Sequence, residues 1–151
     1  IKSVGLRLAR ELKVDLIPLV QALVKDASPQ VRRECAIALR FQKTPAAAAL
    51  WAELAAQHDG KDRWYLEALG IGAALNEAAC FDAWSKKVGE GWNSLAGRDI
   101  IWRSRADAAL TFLVKILKDK NTVETDKPRY LRSFDFRSGA AKDSALLELL
   151  E

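Results

Sequence analysis

A proline-led helix start followed by an apolar stripe, repeated along the chain, limits what this sequence can fold into more than any other feature. It is clearest in Asp26-Ala27-Ser28-Pro29-Gln30-Val31-Arg32-Arg33-Glu34-Cys35-Ala36-Ile37-Ala38-Leu39. Ser28 is of the type that accepts a bond from an orphan helix N–H, and Pro29 suits the first helical position, where a missing donor costs nothing. Val31, Cys35, Ala38 and Leu39 then share one helix face. Val4, Leu8, Ala9 and Leu12 match Val31, Cys35, Ala36 and Leu39 at a shift of 27, and Pro18 matches Pro45 at the same shift. Each of these prolines opens a second helix, the later one capped by Thr44. The unit is helix, turn, helix.

Three more units follow. One opens at Asp59-Gly60 and runs from Lys61 to Gly72, with Trp64, Ala68 and Gly72 in the places of Val31, Cys35 and Leu39 at a shift of 33. Its partner spans Asn76 to about Val88, before the glycine-rich loop Gly89-Glu90-Gly91-Trp92-Asn93. In the next, Ile100, Ile101 and Trp102 end one short helix and Asp107 to Leu117 forms another, with one continuous helix through Arg105-Ala106 as the alternative. After the polar break Lys118-Asp119-Lys120-Asn121, Pro128 to Phe136 leads into a closing helix from about Ala140 to Leu150. No sustained two-residue alternation is bounded by turn residues, so no strand is predicted. The expected class is all-α.

One amphipathic pair cannot bury its own apolar face, whereas pairs laid side by side share a core. We therefore expect one domain over residues 1–151. The block Asp26-x-Ser-Pro-x-Val-Arg32 resembles a HEAT repeat, which implies an α-α superhelix, here of about five irregular pairs. That resemblance puts Asp26 and Arg32 in a polar ladder between repeats, with Arg103 and Arg132 in related posts. A narrower resemblance rests on Gly60-Lys-Asp-Arg-Trp-Tyr-Leu-Glu-Ala-Leu-Gly-Ile-Gly-Ala73, Gly97-Arg-Asp-Ile-Ile-Trp-Arg-Ser-Arg105 and Arg129-Tyr-Leu-Arg-Ser-Phe-Asp-Phe136. Together they are similar to the HEAT-repeat region of large bacterial multidomain proteins described as membrane-bound dehydrogenases with a haem-binding cytochrome c domain. The likeness implies an exported protein in which this module joins or docks flanking domains. With no CxxCH pattern here, it carries over no catalytic or haem-ligand residue and no cofactor. A start at Ile1, the lack of methionine and an end within a helical pattern suggest a segment of a longer protein.

The remaining chemistry is sparse. The net charge is +4, but residues 1–60 carry nine Lys/Arg against six Asp/Glu, residues 61–97 four against five, and residues 98–151 eleven against nine. Such interspersion reads as a solvated mixed surface rather than a phosphate-binding stripe. No apolar run approaches the roughly 18 residues that a bilayer span needs. Cys35 and Cys80 stand far apart in no CxxC pair and read as buried small hydrophobes. His58, the single histidine, lies beside Asp59-Gly60 and reads as a surface-loop residue. Gly70-Ile71-Gly72 lies inside a helical pattern and reads as a place for close helix approach rather than a dinucleotide loop. Neither a catalytic residue nor a metal ligand stands out.

Two functions fit. The first is a non-catalytic scaffold or protein-interaction module. The second is a nucleic-acid-binding module resembling HEAT-like DNA glycosylases, which hold damaged DNA with tryptophan, aspartate and arginine. Trp64 and Trp102 read as core anchors, whereas Trp92 lies outside any stripe, as an interaction hot spot or a cap on the apolar edge. The candidate interaction residues are Arg63, Trp92, Arg98, Arg103, Arg105, Arg129 and Arg132, and the second function requires the arginines to converge on one surface.

Overall fold

The computed structural model describes residues 1–151 and contains ten α-helices and no strand. The helices are α1 (Lys2–Glu11), α2 (Ile17–Leu23), α3 (Pro29–Ala38), α4 (Pro45–Ala55), α5 (Arg63–Gly72), α6 (Glu77–Val88), α7 (Leu95–Arg103), α8 (Ala109–Lys118), α9 (Lys127–Arg132) and α10 (Ala140–Glu148). Proline opens α3 and α4, and Thr44 Oγ1 accepts the Ala47 N–H at 3.2 Å, as the sequence suggests. Ser28 departs from expectation: its hydroxyl bonds Gln30 at 2.8 Å and caps no N–H. Between α7 and α8 the chain breaks at Ser104, so the two-helix alternative is the one formed.

Odd-numbered helices pack on one another in order, α1 on α3, α3 on α5, α5 on α7, while α2 packs on α4 and α4 on α6. Two rows result, and the buried apolar side chains between them form one connected cluster from Leu6 to Ala145. In the even row the same stripe repeats at a constant spacing. Ala47, Ala48 and Trp51 of α4 become Cys80, Phe81 and Trp84 of α6, then Leu113, Val114 and Leu117 of α8, all buried. Side chains also tie successive pairs together, Gln57 Nε2 donating to the Val24 carbonyl at 3.0 Å and Asn76 Nδ2 to the Gln42 carbonyl at 3.1 Å.

In the odd row two expectations fail. Val31, Cys35, Ala38 and Leu39 are buried, but their counterparts in α5 are Tyr65, Leu69, Gly72 and Ala73, one residue later than the sequence pattern suggests. Trp64 consequently stands 71% exposed instead of anchoring the core. A matching mark lies just past α1, α3 and α5, where Lys13, Phe41 and Leu75 take φ of 55°, 68° and 64°. These left-handed ends, usually glycine, fall 28 and then 34 residues apart. In α1 the buried residues are Leu6 and Ala9, while Val4, Leu8 and Leu12 face outward because α2 packs on α3 and α4 rather than on α1.

Helix approach is closest at Gly72, where a Cβ would lie 2.2 Å from the Ala36 carbonyl oxygen, so the glycine pair in α5 serves packing as expected. Gly72→Ala is expected to destabilise by about 2 kcal/mol, because backbone and not a flexible tip stands in the way. Gly5→Ala in α1, with nothing within 4 Å of the new methyl, should be neutral or stabilising. Paired denaturant melts of the two variants measure the contrast.

Candidate functional site

Four side chains that the sequence leaves unconnected meet where α7, α9 and the turn between α4 and α5 come together. Asp99 lies on the first half of α7, behind a helix start capped by Ser94, whose Oγ accepts the Gly97 N–H at 3.1 Å. One turn on, Trp102 points to α9, donating its indole N–H to the Arg129 carbonyl at 3.0 Å. The Arg129 guanidinium returns over the Trp102 ring at 4.5 Å and donates to Asp99 Oδ1 at 2.6 Å. Beneath them His58 Nε2 meets Asp99 Oδ2 at 3.0 Å, with its ring stacked on Tyr65.

His58 is therefore not a surface-loop residue: its side chain is only 2% exposed. Nothing local in Gln57-His58-Asp59-Gly60 signals this, since its partner lies 41 residues on. A usable hint is Asp99 itself, a carboxylate directly before the apolar run Ile100-Ile101-Trp102, where a buried position demands a partner. Burial pushes the Asp99 carboxyl upward, but the bonds and charges of His58 and Arg129 outweigh it and hold its pKa below the ordinary 3.8. With Asp99 ionised, His58 Nε2 must carry the proton in this bond, and Nδ1, buried, has no partner. Above the network opens a groove of about 430 Å³ lined by His58, Gly60, Lys61, Arg63, Leu66, Asp99, Trp102 and Arg129.

The seven nominated interaction residues scatter into different roles. Arg98 is locked to Asp119 at 2.6 Å and Thr122 at 2.8 Å. Arg103 reaches Glu67 on α5 at 3.0 Å. Arg105 donates to the carbonyls of Trp102 and Ser104 and stacks on Phe136. Trp92 packs edge-on against Phe112 with centroids 5.1 Å apart, so it closes the apolar edge rather than standing free. Arg132 is exposed on α9 and does not border the groove. Only Arg63 and Arg129 come together there, joined by Lys61. The six arginines do not converge.

The expected Asp26–Arg32 ladder is also absent in that form. Arg32 donates to the main-chain carbonyls of Asp26 and Ala27, while the Asp26 carboxylate accepts from Lys2 at 2.6 Å. Links between neighbouring odd-row helices run instead through Arg7–Glu34, Arg33–Asp62 and Arg103–Glu67. Trp64 projects beside Ile37, Ala68 and Ile71 in a second groove of about 380 Å³, next to that of Arg63 and Trp102.

Cys35 and Cys80 are free and buried, and burial pushes their thiols up to about 11 and about 12. No cluster of three His, Cys, Asp or Glu side chains stands close enough to hold a metal ion, and no helix is long and apolar enough to cross a membrane. No family model matches the chain, and no curated protein or solved structure matches it.

Proposed function

We propose that the protein is a HEAT-like helical-repeat module, an α-α solenoid segment that works as a non-catalytic scaffold by docking a protein partner on its odd-numbered helices. The observation that carries this reading is Trp64, the most exposed of the tryptophans, held on helix α5 in the groove it shares with Ile37 and Ile71, one residue from Arg63 of the other groove. A large aromatic on a helix loses little freedom on contact, and tryptophan and arginine dominate interface energetics. The side-by-side order of the two rows supports the solenoid part of the proposal. The implied setting is the one suggested by the sequence resemblance, a connector within a larger bacterial exported protein related to membrane-bound dehydrogenases.

Buried native thiols make a direct test practical. An Ile71→Cys protein, with Trp64 intact and a thiol-reactive photocrosslinker attached only at that exposed position in the same groove, should crosslink to a protein of the host extract. Excess unlabelled wild-type protein should suppress that product and Trp64→Ala should not. A product insensitive to both competitors contradicts the docking reading.

One observation favours the second reading, in which nucleic acid is the ligand: Trp102, Asp99 and Arg129 touch one another, the residue types that HEAT-like DNA glycosylases use. Against it, both oxygens of Asp99 are engaged and Arg98, Arg103 and Arg105 are spent internally. Titration of labelled duplex and single-stranded DNA at about 50 and about 200 mM salt separates the two. The scaffold reading expects no binding at either salt. Binding with a steep salt slope would replace it by the second.

A further inference from the structure

We propose that the groove bordered by Lys61, Arg63 and Arg129 is a receptor for an acidic peptide segment, its Asp or Glu carboxylates held by these cations and its aliphatic carbons laid on Trp102 and Leu66. The inference rests on the docking reading and names the chemistry of the partner.

Arg129 is preorganised for the task. The Asp99 ion pair and the Trp102 ring fix its position, yet its side chain is 44% exposed. A guanidinium carries five N–H donors, and one is spent on Asp99. An arginine already clamped loses little rotamer freedom on meeting a carboxylate, and its planar fork matches one. Lys61 and Arg63 are exposed and have no ion-pair partner.

Nearby carboxylates do not cancel this charge. Asp59 turns to the main-chain N–H groups of Lys61 and Asp62, and Asp62 caps α5 through the Tyr65 N–H while lying 4.0 Å from Arg33. Neither lines the groove. Asp99 does, but its two oxygens are committed to His58 and Arg129, so an incoming carboxylate meets a positive rim over a satisfied floor.

Charge complementarity therefore selects an anion, and the rest of the surface selects its kind. A backbone of regularly spaced phosphates needs a continuous cationic track, and Arg98, Arg103 and Arg105, which would extend one, are tied down. A pocket of about 430 Å³ with an aromatic and a leucine on its wall suits one or two side chains of a peptide.

The experiment is fluorescence anisotropy of a labelled glutamate-rich peptide of about ten residues, titrated with the full chain, beside a lysine-rich peptide and a single-stranded DNA of the same length. Saturable binding of the acidic peptide alone is expected, weakening as salt rises. Arg63→Glu and Arg129→Ala should each weaken it about tenfold or more, and Arg129→Lys, which keeps charge but not the fork, should fall between. Lys118→Glu, an equal charge reversal at the exposed last residue of α8, should change it less than about twofold. Circular dichroism melts establish that each variant is folded. Absence of saturable peptide binding, equal loss in Lys118→Glu, or tighter binding of the DNA overturns the proposal. If the peptide fails to bind while the Trp64-dependent crosslink persists, the groove assignment falls and the docking module stands.

Discussion

Trp84→Ala is expected to lower the unfolding free energy by about 3–5 kcal/mol, a fall in melting temperature on the order of 10 °C for a chain of this length. Trp84 is 1% exposed, packs on Phe81 at 5.5 Å between ring centroids, and stands in the stripe that α4, α6 and α8 repeat. Its loss opens a cavity where neighbouring helix pairs are joined. Trp64→Ala is expected to stay within about 0.5 kcal/mol of wild type, since a side chain 71% exposed contributes little to folding. Chemical denaturation of the two variants, run together, reads the difference. Equal destabilisation would mean that Trp64 belongs to the core after all.

The second large effect lies in the buried network. Asp99→Ala removes the partner of both His58 and Arg129, leaving the imidazole with neither nitrogen bonded, and should destabilise by about 2–3 kcal/mol. The milder Asp99→Asn isolates the charge. Because the native carboxyl titrates below its ordinary 3.8, its contribution is fully present above that value and is lost as pH falls through 3.8 toward the lower native pKa. The stability gap between wild type and Asp99→Asn should accordingly be constant above about pH 5 and narrow below pH 4. Denaturant midpoints taken across that range check it. A gap that widens in acid contradicts the assignment of an ionised Asp99.

What the sequence makes legible follows from the range of the interactions involved. Helix positions are legible because proline, Thr44 and apolar spacing act within a turn, and the break between α7 and α8 falls where Ser104 interrupts the pattern. The stripe of α5 is not, because Trp64, Ala68 and Ile71 compete with Tyr65, Leu69 and Gly72 as apolar faces. The competition is decided by Tyr65, whose hydroxyl donates to the Leu54 carbonyl at 2.9 Å, and by the close approach of Gly72 to Ala36. Those contacts lie outside any local window. The same reason hides His58, whose burial depends on Asp99 and which is followed by the turn signal Asp59-Gly60. Arginines are the hardest of all: Arg98, Arg103 and Arg105 read as surface charge, yet they meet Asp119, Glu67 and the Phe136 ring, partners that only the packed helices bring within reach.

The central claim is that α5 buries Tyr65 and turns Trp64 outward on a wall of paired helices. The five tryptophan indole N–H signals of a ¹⁵N-labelled sample report on it directly. With a soluble paramagnetic gadolinium chelate added, the Trp64 signal, assigned by its disappearance in Trp64→Phe, should broaden first. Trp84 and Trp51, the latter bonded to the Leu69 carbonyl at 2.8 Å, should stay sharp. A protected Trp64 beside a broadened Trp51 or Trp84 would contradict the packing on which the docking surface depends.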